Sequence, residues 1–378
     1  MGCPIDSATE TRSSNVARVT PWPTAERLFR GHHPWLGGDD AYSIQLAPQR
    51  HVWLFGDSWI ACQPESNRGD SALINSSIAI QNGDDPETAA IEFFWREGPD
   101  GTPGAVFSSP NEGLRVWPGH GARIGAALVV FLMEYQSLPS SHPDQKTLSS
   151  FDLRGWQASR IVNPDAHPRD WDVEHLEVPD LPWIWLLGIG GVLHEGDHVY
   201  VHAIGTAPRS TEPVYVARYR CDDLEAGHLD RLTFWCGDTL GWLTPEQGAQ
   251  AHAVHQAIPS VTEFTIHRDP TSSQYQCVTM KMGADAHVQL RTAPSITGPW
   301  SSPERILDPP ERHKTTHVYA AKAHPAIGNV PDVRQLLLTY NSNTNLPDLL
   351  LDRDDLYYPH CHRLQIAADA SSGEGPDA

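Results

Sequence analysis

The 378-residue chain predicts an all-β fold, and three observations carry that reading. Apolar alternating runs recur along its length, separated by Gly, Pro, Asn and Asp turns. No amphipathic helical period is sustained through any of them. The 29 glycines and 32 prolines are spread through the chain, as many short strands joined by tight turns require.

Five units repeat one plan: an apolar run, a turn, a second run, then one or two weaker runs. Residues 41–59, AYSIQLAPQRHVWLFGDSW, give a strand, a Pro-Gln turn and a second strand. The second unit opens at NSSIAIQNG (75–83) and continues through LRVWPGHGARIGAALVVFLMEY (114–135). In the third, WIWLLGIGGVLHEGDHVYVHAIG (183–205) places two strands around a Glu-Gly-Asp turn. The fourth runs over 260–307, and the fifth covers 316–343 and closes on YYPHCHRLQIA (357–367). Units of this size with up to four strands each are propeller blades. The expected architecture is therefore a five-bladed β-propeller with four-stranded antiparallel blades around a central channel. It spans 31–367, with blades near 39–62, 75–136, 183–240, 258–308 and 316–367. Residues 1–30 are an N-terminal segment, the polar, Pro-rich stretch 137–182 is a long inter-blade insertion, and 368–378 is a disordered tail. A two-domain β-sandwich is the rival architecture.

A formal charge of −20 sets the chain against nucleic acid and anionic membranes, both of which would repel it. A neutral or cationic small ligand suits it better, and the expected state is a monomer or weak homodimer. No apolar run is long enough to span a bilayer. Cys3, Cys62, Cys221, Cys236, Cys277 and Cys361 include no CxxC pair and read as free thiols of a reducing compartment. The polar start, MGCPIDSATETRSS, lacks a secretory apolar segment and a lipobox around Cys3. The expected location is cytoplasmic, or extracellular if a signal has been removed.

In a propeller the first strand of each blade lines the channel, which brings Asp39, Asn75, Glu263 and His324 towards the axis. Asp57 ends the second strand of the first blade, beside Asp39. Each has a plainer reading. Asp57 in FGDSW could cap a turn, Asn75 could hold a loop, and His324 could be a satisfied core histidine. Glu263, in VTEFTI, would be a costly buried carboxylate unless it served a purpose. Among 13 tryptophans, Trp35 and Trp59 flank Asp39 and Asp57 and suit stacking on a ligand, whereas Trp53, Trp185, Trp235 and Trp300 read as core. HEGDH (194–198) falls on a hairpin and not on a zinc-binding helix. His360 and His362 share one strand face as a candidate ligand pair. No metal or other cofactor is required, and a Ca²⁺-like channel ion has no dedicated motif here.

GGDDAYSIQLAPQRHVWLFGDSW resembles the opening blade of the DUF4185 family of five-bladed propellers, grouped with glycoside hydrolase family 183. LINSSIAIQ, RVWPGHGARIGAALVVF and YAAKAHPAIG…LLLTYNSNT are similar to later blades of that group. The GPW of RTAPSITGPWSSPERIL is shared more loosely with the glycoside hydrolase 43, 32 and 68 propellers. The resemblance implies an endo-acting hydrolase of D-arabinan that uses two Asp residues. Carried over residue by residue, these fall on Asp39, with Asp40 the alternative one residue on, and on Asp57, while Glu263 is a further acid or hydrogen-bond partner. Two other functions stay open: a propeller redirected to small-molecule biosynthesis as a cyclase or lyase, and a non-catalytic carbohydrate-binding protein.

Overall fold

A computed structural model describes residues 17–138, 151–206, 213–251, 253–254, 256, 258, 262–269, 272–328 and 335–366. Cys3, the tail 368–378 and residues 139–150 of the 137–182 segment lie outside the described residues. The chain is all-β, with short helical turns at the connections. No described helix is long and apolar enough to cross a membrane.

Strand alternation builds the sheets in chain order. The first sheet holds Tyr42–Ala47, Arg50–Phe55, Ser77–Asn82 and Ala90–Phe94. The second holds Arg115–Ile124, Ala127–Ser137, Phe151–Ile161 and Val173–His175. The third runs Ile184–Leu187, His198–Gly205, Val214–Arg220, Thr233–Trp235 and Trp242–Leu243, with Leu193–Glu195 also paired on His198–Gly205. The fourth is Phe264–Arg268, Tyr275–Lys281, His287–Ala293 and Glu304–Leu307. The fifth joins His317–His324, Gln335–Asn343 and Pro359–Ile366, with Ala17–Pro21 added at its edge. All these pairings are antiparallel, as hairpin connections dictate.

Each sheet shares an apolar cluster with the next. Leu54 and Ile78 pack with Val130 and Leu132, and Phe131 packs with Leu187 and Val201. Val216 meets Phe264 and Cys277, and Val278 and Met280 meet Leu338 and Tyr340. The fifth sheet returns to the first, where Leu337 and Cys361 join Trp53, Phe55 and Ala79. Burial of these branched and aromatic faces is the main favourable term in holding the sheets together. Polar bonds tie the inner strands as well. Gly191 N donates to Phe264 O at 3.1 Å, and Ser43 Oγ lies 2.7 Å from His324 Nδ1.

Three sequence expectations change. Residues 75–83 do not open a second unit, because Ser77–Asn82 pairs along Arg50–Phe55 in the first sheet. The intervening 58–74 makes an excursion: Ser58–Ala61 and Ser71–Ile74 form a hairpin that pairs with Trp35–Gly38 in a separate three-stranded sheet. The 137–182 segment is not only a connection, since Phe151–Ile161 and Val173–His175 are the outer strands of the second sheet. Polar exposed faces hid them from the apolar count. The N-terminal segment is not separate either, for Ala17–Pro21 pairs with Pro359–Ile366 in full register.

Candidate active site

A cavity of about 1070 Å³ opens where the second, fifth and three-stranded sheets meet residues at the strand ends of the first and fourth. Asp39, Asp40, Asp57 and Glu263 line it, together with a wall of Trp117, Tyr135 and Phe151. Trp117 stacks on Tyr135 at 3.6 Å, and Phe151 meets Trp117 edge-on at 4.7 Å. Such packed rings present a rigid apolar face beside the carboxylates.

The acid cluster is built by backbone. Asp39 N donates to Asp57 O at 3.2 Å and Gly56 N donates to Asp39 O at 3.1 Å, so the two stretches lie side by side. A Cβ on Gly56 would come within 2.7 Å of Asp39 Oδ1. Only glycine allows this approach, and it brings the Asp39 carboxyl against the residue that precedes Asp57. Next, Asp40 (φ 72°) and Ala41 (φ 56°) both take the left-handed conformation. Two such residues in succession cost on the order of 1–3 kcal/mol each and persist only where their surroundings hold them. Lys322 supplies that hold. Its fully buried Nζ donates to Asp40 O and to Asp40 Oδ1, each at 2.6 Å, and sits 4.2 Å from the centre of the Tyr42 ring.

Burial acts on the three aspartates unequally. The Asp39 carboxyl is pushed well above the usual range by burial, then by the negative charges of Asp57 and Asp40. Hydrogen bonds from the Tyr319 hydroxyl (2.8 Å, to Oδ2) and the Tyr357 hydroxyl oppose this. Burial also lifts Asp57, but Trp117 Nε1, donating to Oδ1 at 2.7 Å, and the nearby Arg115 cation limit it to about 6. Asp40 reaches about 6 as well, raised by burial and lowered mainly by Lys322. Both members of the Asp39–Asp57 pair thus bind a proton more tightly than a free carboxyl, with Trp117 and Arg115 drawing Asp57 back towards its ionised form. The two face the same cavity. Glu263 accepts a 2.6 Å hydrogen bond from Thr262 Oγ1.

The structure brings together most of the expected residues and removes two. Asp39, Asp40, Asp57, Trp59, Asn75 and Glu263 all line the cavity. Asn75 spends its amide on Val116 O at 2.7 Å, a bond that joins the second sheet to its neighbour. Trp35 is not a stacking platform. It is 1 % exposed, donates to Ser77 Oγ at 3.1 Å and stacks on Phe93 at 4.1 Å, because it sits on the inward face of its strand. His324 is not a ligand-binding group either. It is buried between Ser43 Oγ and Thr339 Oγ1, and burial holds its imidazole well below the usual value. His360 and His362 do share a face, His360 stacked on Tyr340 and His362 tilted against the same ring. Among the described residues, no group of three or more His, Cys, Asp or Glu side chains is placed to hold a metal ion.

Sequence reasoning missed Lys322, Tyr319, Tyr357 and Trp117. Only Lys322 left a signal: in YAAKAH it alternates with Ala320 and His324 on an otherwise apolar strand, where a charge needs a partner.

The match to the DUF5005 family, described as a domain of unknown function, covers residues 24–365. The chain is a DUF5005 protein. What matches is DUF5005, so the DUF4185 likeness of the first-sheet motifs stays a resemblance. No curated protein matches this DUF5005 chain in sequence. Among solved structures, a candidate hydrolase from Bacteroides ovatus is similar at a TM-score of 0.66 and 16 % identity, covering 94 % of this chain and 93 % of its own. The glycoside hydrolase 62 α-L-arabinofuranosidase catalytic domain of Coprinopsis cinerea is similar at 0.43 and 11 %, over 95 % and 99 % of the two chains. A glycoside hydrolase 43 enzyme of Xanthomonas citri, in complex with xylose, is similar at 0.45 and 12 %, over 93 % and 94 %.

Proposed function

We propose that this DUF5005 protein is a glycoside hydrolase built as a five-bladed β-propeller, its blades being the five sheets that pack in sequence. Asp39 and Asp57 act as its acid and its base or nucleophile on a furanoside- or pentose-containing glycan of D-arabinan type. The observation that carries this reading is one cavity in which the Asp39 and Asp57 stretches are bonded side by side, with burial raising both carboxyls and Trp117 and Arg115 drawing Asp57 back down. Glycosidic cleavage needs that pair. The Asp39 proton passes to the leaving glycosidic oxygen as the C1–O bond breaks. Asp57 either attacks C1 or takes a proton from the water that does. Glu263 lines the same cavity and faces the positive charge that develops at C1, whereas the charge of Asp40 is matched by Lys322. Trp117, Tyr135 and Trp59 supply ring faces for the sugars, and the cavity is larger than a single pentose requires.

The test is a panel of arabinans and aryl pentofuranosides, run with wild type and Asp57→Asn side by side. Sugar release by the wild type and its loss in a folded variant supports the reading. An inert panel with binding on a glycan array replaces it with a non-catalytic carbohydrate-binding protein. Failure of both leaves a small-molecule enzyme.

A further inference from the structure

The connection between Gln335–Asn343 and Pro359–Ile366 carries a short helix, Pro347–Asp352, and contributes Leu350, Leu351 and Tyr357 to the cavity wall. Its last turn is strained, with Tyr357 at φ 66°. Two arginines from distant parts of the chain fasten it: Arg30 Nη1 donates to Asp354 O at 2.9 Å, and Arg68 makes the larger set of bonds. Arg68, in the turn between the strands Ser58–Ala61 and Ser71–Ile74, is 5 % exposed. Its Nη1 donates to Leu350 O and Arg353 O at 3.1 Å each, and its Nη2 donates to Leu356 O at 2.7 Å. Nε and Nη2 also donate to Leu36 O at 3.2 and 3.1 Å. One rigid guanidinium fork thus collects four backbone carbonyls from two segments, a geometry that a lysine ammonium does not reproduce. The seam is closed from the other side, since a Cβ on Gly37 would lie 2.7 Å from Tyr357 O and 3.0 Å from Arg68 Nη2.

We propose that Arg68 is a positioning residue: by pinning the 346–357 connection to the Trp35–Gly38 strand, it holds Tyr357 in the cavity wall beside Asp39. The consequence for catalysis rests on Asp39 being the acid, but the clamp itself does not. Besides Tyr357, the groups facing Asp39 are Tyr319 from the fifth sheet and the carboxylates of Asp40 and Asp57, with Arg115 set against Asp57 and Glu263 against Tyr319. A phenol that donates to a carboxylate favours its ionised form. Losing that donor moves the Asp39 titration to higher pH.

The experiment is a carboxyl ¹³C NMR titration of the full chain labelled at aspartate Cγ, with the Asp39 signal identified by its absence in Asp39→Asn. Tyr357→Phe is expected to raise the Asp39 midpoint by about one pH unit. Arg68→Lys is expected to raise it in the same direction, and the double variant no further than Tyr357→Phe alone. An Asp39 midpoint that moves in Tyr357→Phe but stays in Arg68→Lys overturns the proposal, as does full additivity. Should Arg68→Lys fail to fold, Arg68→Gln, which keeps a single amide donor in place of the fork, takes its place, and an unmoved Asp39 there overturns the proposal equally. The titration uses no substrate. An inert glycan panel therefore sinks the glycosidase reading alone, and an active panel with an unmoved Asp39 sinks only the clamp.

Discussion

Gly56 and Lys322 decide how the aspartates stand, and neither is an acid. A methyl group at position 56 would press on Asp39 Oδ1 from 2.7 Å, so Gly56→Ala must displace that carboxyl from Asp57. Misplacement of a catalytic group by about 1 Å costs about 10²-fold in rate. Gly56→Ala is accordingly expected to lose turnover of an aryl furanoside on that scale, with little change in KM. Lys322 belongs to stability more than to turnover. Its ammonium is fully buried against Asp40, and removing one partner of a buried ion pair strands the other. Lys322→Met should destabilise the fold by about 3–5 kcal/mol in urea titrations at pH 7. Pairing it with Asp40→Asn should recover part of that loss, because no full charge is then stranded. Recovery of none would show that Lys322 acts by packing alone.

At the scale of elements, the edge strand Ala17–Pro21 and the hairpin Ser58–Ile74 matter most. The first comes from the start of the chain and completes the last sheet, making five residue pairs with 362–366. It covers an edge that would otherwise present unpaired backbone groups. Deletion through Pro21 should lower the thermal midpoint and raise the tendency to aggregate, read by calorimetry and light scattering. An unchanged midpoint would make the strand an ornament of the sheet. The hairpin shows why unit boundaries were only partly legible. Apolar alternation marks Ser77–Asn82 as a strand, yet nothing local says that the chain leaves the first sheet at Phe55 and returns to it after the excursion. Register is set by which apolar face finds a partner, a property of two segments together.

For the whole molecule, the acid cluster makes stability and activity depend on pH in defined senses. Asp39, Asp40 and Asp57 all bind protons more tightly in the folded chain than the ordinary value of 3.8. Their stabilising share is full below 3.8 and is lost as pH rises through the folded values, which for Asp40 and Asp57 lie at about 6. Asp57→Asn should therefore be more stable than wild type at pH 7.5, by on the order of 1–2 kcal/mol, with the difference fading below pH 4. A variant less stable than wild type at pH 7.5 would mean that the Trp117 and Arg115 contacts outweigh the burial of the charge. In kcat/KM, the acidic limb should follow ionisation of Asp57 near 6 and the basic limb deprotonation of Asp39 above it. A profile without an acidic limb in that region would remove Asp57 as base or nucleophile.

The all-β character, most of the strands and the aspartates of the first unit are legible along the chain, because alternation and turn chemistry are local properties. The Asp57 of WLFGD and the Asp39–Asp40 pair were visible as residues. Their chemistry was not. Tyr319 meets Asp39 across 280 positions, Lys322 meets Asp40 across 282, and Trp117 reaches Asp57 across 60. Those contacts shift the three carboxyls, and they exist only once the sheets have packed. The same packing turned Trp35 and His324 inward, since a side chain's face depends on which sheet its strand joins.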